Sequence, residues 1–404
     1  MCDPDKAQKV VRKSRKPKVP KHLLDGHDPK DKLCIKASKN RYQLLEVLGH
    51  GGVGVVYKVS QMETREEFAL KTENGTEASR KHSRLKIEMN VLRTVNESRE
   101  PIRKRHFAKI VDRGRTTEFK FIVMELVGQS LAMLQKAKKN GRFDPLTAAY
   151  LAYQTAEAID ALHYFGFIHR DIKPQNFSLN YGETPRTVYL LDFGIARPYV
   201  DQKTKVLMIP RKNVKFVGSP NYASITGLCQ KEQGRRDDYE SWFYMSVEFL
   251  NPDLFTWLQV DSLAKLIEAK IEFMTKDALC QSLPKQYILI RNYIMKLKYE
   301  NNVDTDYIKR LLIKSQKLRS IMECIMFSKN GQLGVIKCPI RKSAEEAEDS
   351  KGLTVSYTLT TTTNESTQEV TKTEGEPDTM VTMKTSTDEQ PESKTLEDIW
   401  QMDE

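Results

Sequence analysis

The apolar residues of this chain change their spacing near residue 144, and that change limits the folds that the chain can adopt. Before it, Tyr42–Leu48 and Val53–Ser60 are rich in β-branched and aromatic residues and are separated by glycines, which predicts a hairpin of two strands. At the change, Asp144 and Pro145 form an N-cap and a first-turn proline, and apolar residues then recur at helical spacing to about Tyr164. The chain is therefore expected to be an α+β protein with a small β-rich lobe before a larger helical lobe.

Shorter patterns complete this outline. Glu67–Lys71 and Phe119–Met124 predict two further strands, and the apolar spacing over Leu85–Leu92 predicts a helix between them. Gly166 is placed to end the long helix. Further helices are predicted at about 237–250, 260–275, 284–298 and 304–316. A cleft between the two lobes is the expected place for a ligand.

Composition excludes several classes of protein. The 404 residues contain no apolar run near the ~18 that a membrane helix needs, and the N-terminal residues lack the apolar stretch of a secretory signal. The six cysteines are scattered without a Cys-x-x-Cys pair, so we expect neither a disulfide framework nor a zinc site. A reducing, intracellular location, cytoplasmic or nuclear, is therefore expected.

Charge divides the chain into three parts. Residues 1–40 carry a charge of +7, which predicts a basic disordered arm, and the Ser/Thr-rich residues 341–404 carry −10, which predicts an acidic disordered tail. Residues 41–340 carry +14, which indicates an anionic partner: a nucleotide, an acidic peptide or a nucleic acid. Nucleic acid is the weakest of these, because the basic arm lacks aromatic residues that could stack on bases. The run Lys9–Lys18 fits either a nuclear-localisation or anionic-surface patch or a solvated leader.

A glycine-rich motif lies between the first two predicted strands. Gly49, Gly51, Gly54 and Val56 match the pattern G-x-G-x-x-G-x-V, which by itself is a weak signal because dinucleotide-binding folds and plain hairpin turns use similar glycines. In a dinucleotide-binding fold a helix begins at the last glycine, whereas here the chain continues as a strand. The context therefore favours a hairpin loop whose backbone amides approach phosphate oxygens.

Lys71 stands seventeen residues after Gly54, at the end of an apolar strand. A lysine there is costly unless an anion meets it. Glu88 on the following predicted helix supplies a carboxylate, and nucleotide phosphates would supply a second anion. We therefore pair Lys71 with Glu88 and expect Lys71 to contact the α- and β-phosphates, although each residue alone would pass for an ordinary surface residue.

The most specific motif is His169–Asn176, which reads His-Arg-Asp-Ile-Lys-Pro-Gln-Asn. Asp171 can accept the proton of an attacking hydroxyl, Lys173 can neutralise charge on a transferred phosphoryl group, and Asn176 can hold Mg²⁺. Sixteen residues later, Asp192 begins Asp-Phe-Gly after an apolar strand and can bind Mg²⁺ through oxygen. This ordered set of motifs does not arise plausibly by chance.

With these motifs the chain resembles a eukaryotic protein kinase over about residues 42–335, and the lysine in His169–Asn176 is typical of serine/threonine kinases. Phe216–Ser224 and Gly234–Tyr244 resemble the casein kinase 1 superfamily, and Pro210–Val214 resembles its tau-tubulin kinase branch. The resemblance implies a bilobal protein kinase fold, with the kinase domain at 41–340. It also implies transfer of the γ-phosphate of ATP, with Mg²⁺, to Ser or Thr hydroxyls of protein substrates, among which we expect acidic ones.

The resemblance further implies roles for residues outside the short motifs. Met124 would be the gatekeeper beside the adenine, and residues 125–127 would form the hinge between the lobes. Asp238 would support the backbone of the catalytic loop. The residues implied to contact the nucleotide, besides the glycines, Lys71 and Glu88, are Leu48, Val56, Ala69, Met124, Glu125, Val127 and Leu179.

Three departures from the casein kinase 1 pattern concern peptide recognition rather than phosphoryl transfer. Asn221 replaces an arginine that helps to bind an anion, Ser219 replaces a threonine, and a Leu-Pro-Trp sequence is broken into Asp253–Trp257. They weaken the expectation of pre-phosphorylated substrates. Every position expected to bind MgATP or move the proton is present, which favours an active enzyme over the alternative, a catalytically inactive kinase-fold scaffold. We expect a monomer that acts on protein substrates, with no membrane partner.

Overall fold

The structure is a computed structural model, and it describes residues 34–50, 54–74, 83–116, 118–181, 187–276 and 282–316. The acidic tail, most of the basic arm and Gly51 lie outside the described residues. The predicted end of the arm at residue 40 is wrong, because Cys34–Lys36 forms a strand that pairs with Arg41–Gln43 and buries Ile35 in the core of the sheet. A strand of three residues with one apolar side chain has no periodicity that a sequence pattern could reveal.

The β-rich lobe is built on an antiparallel sheet whose strands are β1 (Cys34–Lys36), β2 (Arg41–His50), β3 (Val55–Gln61), β4 (Glu67–Asn74), β5 (Ile110–Arg115) and β6 (Phe119–Glu125). Their order in the sheet is β1-β2-β3-β4-β6-β5. The predicted strands are confirmed, whereas β5 was missed because its sequence, Ile-Val-Asp-Arg-Gly-Arg, carries few apolar residues. Alternate side chains of these strands, among them Tyr42, Tyr57 and Phe121, pack into one buried cluster.

Helix α1 (Arg84–Asn96) packs beside this sheet, as its apolar spacing predicts. The Ser83 side chain caps its first turn by accepting a hydrogen bond from Lys86 N at 3.1 Å. Leu85, Met89 and Leu92 are buried against the lobe. Glu88 lies on the same buried side of the helix, so it points into the protein rather than into solvent.

The rest of the described chain is mainly helical, and the four later helices that the sequence predicts are confirmed to within three residues at each end. The helices after α1 in the described chain are α2 (Pro101–Lys104), α3 (Leu131–Lys136), α4 (Pro145–Tyr164), α5 (Ile225–Leu228), α6 (Arg235–Leu250), α7 (Leu263–Thr275), α8 (Lys285–Lys296) and α9 (Thr305–Gln316). The last four of them are these predicted later helices. Two small sheets lie among them: β7 (Val127–Ser130), β9 (Phe177–Asn180) and β10 (Val188–Leu190) form one, and β8 (Phe167–Ile168) pairs with β11 (Arg197–Pro198) in the other.

Helix α4 is the central helix of this lobe. The Asp144 side chain caps it by accepting a hydrogen bond from Thr147 N at 3.0 Å, and Pro145 opens the first turn, as predicted. Gly166 follows it with φ +87°, a left-handed conformation that glycine adopts without strain. The chain then turns directly into the motif His169–Asn176, so the end of α4 determines where that motif begins.

Two observations bear on the exclusions drawn from composition. Cys229 is disulfide-bonded, which the scattered cysteines did not reveal, but one bonded cysteine is not the disulfide framework that the sequence excluded. Within the described ranges, no helix is both long enough and apolar enough to span a membrane.

Candidate active site

Two described glycines of the motif lie beside neighbouring strands: Gly49 near the end of β2 and Gly54 directly before β3. A Cβ atom on Gly54 would lie 1.8 Å from the carbonyl oxygen of Thr72 on β4, so only glycine fits there. Thr72 Oγ1 accepts a hydrogen bond from Val55 N at 2.9 Å and donates one to Val55 O at 3.0 Å. These contacts fasten the end of the loop to the strand that carries Lys71. Leu48 and Gly49 lie near the end of the preceding strand, where Leu48 is exposed.

Lys71, Glu88 and Asp192 meet between the two lobes. Lys71 Nζ lies 2.6 Å from Glu88 Oε2 and 2.9 Å from Asp192 Oδ1, so the predicted pair is present and extends to the aspartate of the Asp-Phe-Gly motif. Burial by itself lowers the pKa of Lys71, but the two carboxylates outweigh it and raise that pKa above its usual value. The Lys71 ammonium lowers the pKa of Asp192 well below its usual range. The site therefore holds a permanent cation beside an ionised carboxylate.

Asp192 follows strand β10 in a strained conformation. Its φ of +63° lies in the left-handed region, which is uncommon for residues other than glycine and often marks functional sites. The next residue, Phe193, is buried and packs against the ring of His169 at 5.4 Å between centroids. This packing leaves the Asp192 side chain half-exposed towards the cleft.

The motif His169–Asn176 forms a loop in which its polar side chains converge. Lys173 Nζ lies 2.6 Å from Asp171 Oδ2, and Asn176 Nδ2 donates to the Asp171 carbonyl oxygen at 2.7 Å. Ser219 approaches from a distant part of the sequence. Its backbone N–H donates to Asp171 Oδ1 at 2.8 Å, and its hydroxyl accepts from Lys173 Nζ at 2.8 Å. One oxygen of Asp171 thus faces a lysine and the other faces a backbone amide.

A buried carboxylate supports this loop from below. Asp238 accepts hydrogen bonds from His169 N at 2.7 Å and Arg170 N at 2.9 Å, which confirms the support expected of it. Its Oδ2 also lies 2.8 Å from His163 Nε2 at the end of α4. Burial raises the pKa of Asp238, but these hydrogen bonds and the neighbouring histidines lower it overall. The supported backbone includes Arg170, whose φ is +67°.

The residues implied to surround an adenine lie on strands that border the same cleft. Ala69 on β4 is the register partner of Met124 on β6, and both are buried. Glu125 ends β6 and Val127 begins β7, so the predicted hinge joins the two lobes. Leu179 is buried on β9, the strand that pairs with β7. Val56 on β3 is the register partner of Lys71, which places it one strand away from the lysine.

Comparison with known proteins agrees with this arrangement. The family model for the protein kinase domain matches residues 42–327. The chain belongs to the protein kinase family. A Caenorhabditis elegans protein whose name assigns it to the serine/threonine-protein kinases is 38% identical over 240 residues, which cover 59% of this chain and 70% of the relative. The serine/threonine-protein kinase spe-6 of the same organism is 31% identical over 270 residues, covering 65% and 69%. The chain is therefore a protein serine/threonine kinase.

Sequence reasoning missed one charged cluster of this kinase. Glu232 accepts hydrogen bonds from the Arg211 guanidinium, one of them from Nη2 at 3.0 Å, and lies 3.5 Å from Arg197 Nε. Burial raises the pKa of Glu232, but the two arginines outweigh it and lower that pKa below its usual value. The cluster ties the segment after Asp-Phe-Gly to the turn before α6. The basic character of that segment was visible in the sequence, whereas its carboxylate partner was not.

Proposed function

We propose that this kinase transfers the γ-phosphate of MgATP to Ser or Thr hydroxyls of protein substrates. The observation that carries the proposal is the meeting of two charge centres in one cleft: Lys71 with Asp192 and Glu88, and Asp171 with Lys173 and Asn176. The first centre suits the polyphosphate of a nucleotide. The second suits a hydroxyl that must lose its proton as it attacks.

In this mechanism Asp171 orients the acceptor hydroxyl and takes its proton, while the hydroxyl oxygen bonds to the γ-phosphorus and the bond from that phosphorus to the β-phosphate oxygen breaks, which releases ADP. The backbone N–H of Ser219 holds one of its oxygens at 2.8 Å, which leaves the carboxylate little freedom to rotate. Lys173 lies between Asp171 and Ser219 and can neutralise the charge that develops on the transferred group. Lys71 holds the α- and β-phosphates under the glycine loop. Most of the acceleration comes from positioning and electrostatics, because phosphoryl transfer needs little covalent chemistry from the protein.

The residues present fit Mg²⁺ bound together with a nucleotide. Among the described residues, no group of three or more His, Cys, Asp or Glu side chains could hold a metal by itself. Asn176 uses its amide nitrogen on Asp171, which leaves its oxygen for a cation, and Asp192 offers a second oxygen. Mg²⁺ commonly takes one or two protein oxygens and completes its shell with phosphates and water. When bound, it would neutralise charge on the phosphates that Asp192 and Asn176 face.

Acidic proteins are the substrate class that we propose. Residues 41–340 carry a charge of +14, and four exposed lysines precede the Ser219 segment on the chain: Lys203, Lys205, Lys212 and Lys215. Membership of the casein kinase 1 superfamily, and of its tau-tubulin kinase branch, is proposed on the Phe216–Ser224 and Gly234–Tyr244 motifs. We also propose a catalytic domain that begins near residue 34, flanked by a basic arm and an acidic tail beyond residue 340. A cytoplasmic or nuclear location is proposed on the basic run Lys9–Lys18 and on the scattered cysteines without a Cys-x-x-Cys pair. A monomer is proposed as the oligomeric state.

The test is incubation of the purified full chain with labelled ATP, Mg²⁺ and casein, followed by mapping of the labelled residues. Label on Ser and Thr that disappears in Asp171→Asn supports the proposal. No label with correctly folded protein would favour the inactive scaffold instead. Acidic and basic peptides compared at two salt concentrations test the substrate class, because an electrostatic preference weakens as salt shortens the Debye length. Preference for the basic peptide would overturn it.

A further inference from the structure

Lys270 on α7 is a fully buried lysine to which the mechanism above assigns no role. Its Nζ donates a hydrogen bond to the carbonyl oxygen of Ala223 at 2.6 Å and lies 4.3 Å from the ring centroid of Tyr244. Burial lowers the pKa of Lys270 to about 7, and the nearby carboxylate of Glu240 opposes that shift. A buried amine is costly unless its hydrogen bonds are satisfied. The carbonyl of Ala223 and the aromatic face compensate for part of that cost.

Side chains inside the helical lobe form hydrogen bonds to the backbone at residues 221, 223 and 225. Trp257 Nε1 donates to the carbonyl oxygen of Asn221 at 3.0 Å. Ile225 N donates to Glu240 Oε1 at 2.7 Å. With the bond from Lys270 to Ala223, three backbone groups of residues 221–225 bond to fully buried side chains. On the outer side, Pro220 and the side chain of Asn221 remain exposed.

Two successive hydrogen bonds connect Ala223 to Asp171, the proposed general base, through Ser219. Ala223 N donates to the carbonyl oxygen of Ser219 at 3.0 Å. Ser219 N in turn donates to Asp171 Oδ1 at 2.8 Å. Gly218, just before it, has φ +100°, and a Cβ there would lie 2.5 Å from the carbonyl oxygen of Arg170. The segment therefore passes directly over the catalytic loop.

We propose that Lys270 and Trp257 form a buried clamp that fixes residues 219–223 as the wall against which a protein substrate lies when its hydroxyl reaches Asp171. The inference rests on the proposed phosphoryl transfer, which it deepens by naming what positions the protein substrate. Both are positioning residues, because they act through the carbonyl oxygens of Ala223 and Asn221 and touch neither substrate. The clamp serves the protein substrate, since the nucleotide contacts around Lys71 lie on other elements.

The test measures steady-state kinetics of the full chain on one acidic peptide, with Lys270→Met and Trp257→Phe as variants. Methionine keeps the length of the side chain and removes the donor, and phenylalanine keeps a ring and removes the indole N–H. Each variant should raise KM for the peptide at least tenfold, because the wall that binds the peptide is no longer fixed in place. KM for ATP should stay within about twofold of wild type. Lys265→Met is the matched control, because Lys265 lies on the same helix with an exposed side chain, and it should behave as wild type.

The two KM values separate the clamp from a merely structural role. A substitution that only lowers the fraction of folded enzyme reduces kcat and leaves both KM values unchanged. That pattern would overturn the proposal, as would wild-type kinetics in both variants. If Lys270→Met does not fold, the KM values of Trp257→Phe decide whether the clamp exists. If neither variant folds, both residues are needed for folding itself, and the clamp is also overturned. A wild-type enzyme without activity would instead overturn the proposed function.

Discussion

Asp238→Asn should both destabilise the protein and slow its catalysis. The carboxylate accepts two backbone N–H groups at 2.7 and 2.9 Å and lies 2.8 Å from His163 Nε2. The amide that replaces it has one acceptor oxygen, so its NH₂ group must face the N–H of His169 or Arg170. One charge-assisted hydrogen bond is then lost and a buried donor is left unsatisfied, which together cost about 3 kcal/mol of unfolding free energy. The displaced loop should lower kcat by about 10²-fold.

The neighbouring carboxylate provides the matched control. Asp237 is also buried, but it accepts a hydrogen bond from Gly234 N at 2.7 Å at the start of its own helix, and burial raises its pKa to about 6. An amide oxygen can keep that bond, so Asp237→Asn should cost less than about 1 kcal/mol and leave kcat within about twofold. Urea unfolding followed by tryptophan fluorescence gives the stability, and peptide phosphorylation gives kcat. Equal losses in the two variants would refute the support assigned to Asp238.

Three further predictions concern single groups. Lys71→Met should lower kcat by about 10²-fold or more with an unchanged melting temperature, because the phosphates lose their cation; normal turnover would contradict this. Phosphatase-treated enzyme should keep its rate, because the Glu232 carboxylate already binds Arg211 and no phosphate is needed to do so. Glu232→Gln should therefore lower kcat by about tenfold. A fully active variant would show that this ion pair does not support activity. His106 is neutral in the fold, where burial lowers its pKa to about 4. The unfolded chain binds a proton at this histidine below about pH 6.5, and the folded protein does so only near pH 4. The free energy of unfolding should therefore be highest above pH 6.5 and fall by about 3 kcal/mol as pH falls towards 4. Urea unfolding at pH 7 and 4.5 checks this against His106→Gln, which should lose less stability on acidification; equal losses would refute it.

The long elements and the contiguous motifs could be predicted because their signals are local. Asp144, Pro145 and the apolar spacing after them define α4 within one stretch of chain, and Gly166 ends it with a positive φ. In His169–Asn176, the residues that bond to one another are at most five positions apart. A short peptide segment brings such residues together almost regardless of the rest of the fold. The sequence alone therefore determined the lobes, the long helices and the chemistry expected of the cleft.

Contacts between distant positions were decided by the tertiary structure. Ser219 reaches Asp171 across 48 positions, Lys270 reaches Ala223 across 47, and β1 joins the sheet by pairing rather than by any periodicity of its own. A lysine or glutamate in an amphipathic helix carries the same signal whether it faces water or a buried carbonyl, since the partner is supplied by another part of the chain. The physical reason is that a buried polar group needs a partner of matching geometry, and only the packed fold determines which groups are close enough to provide one.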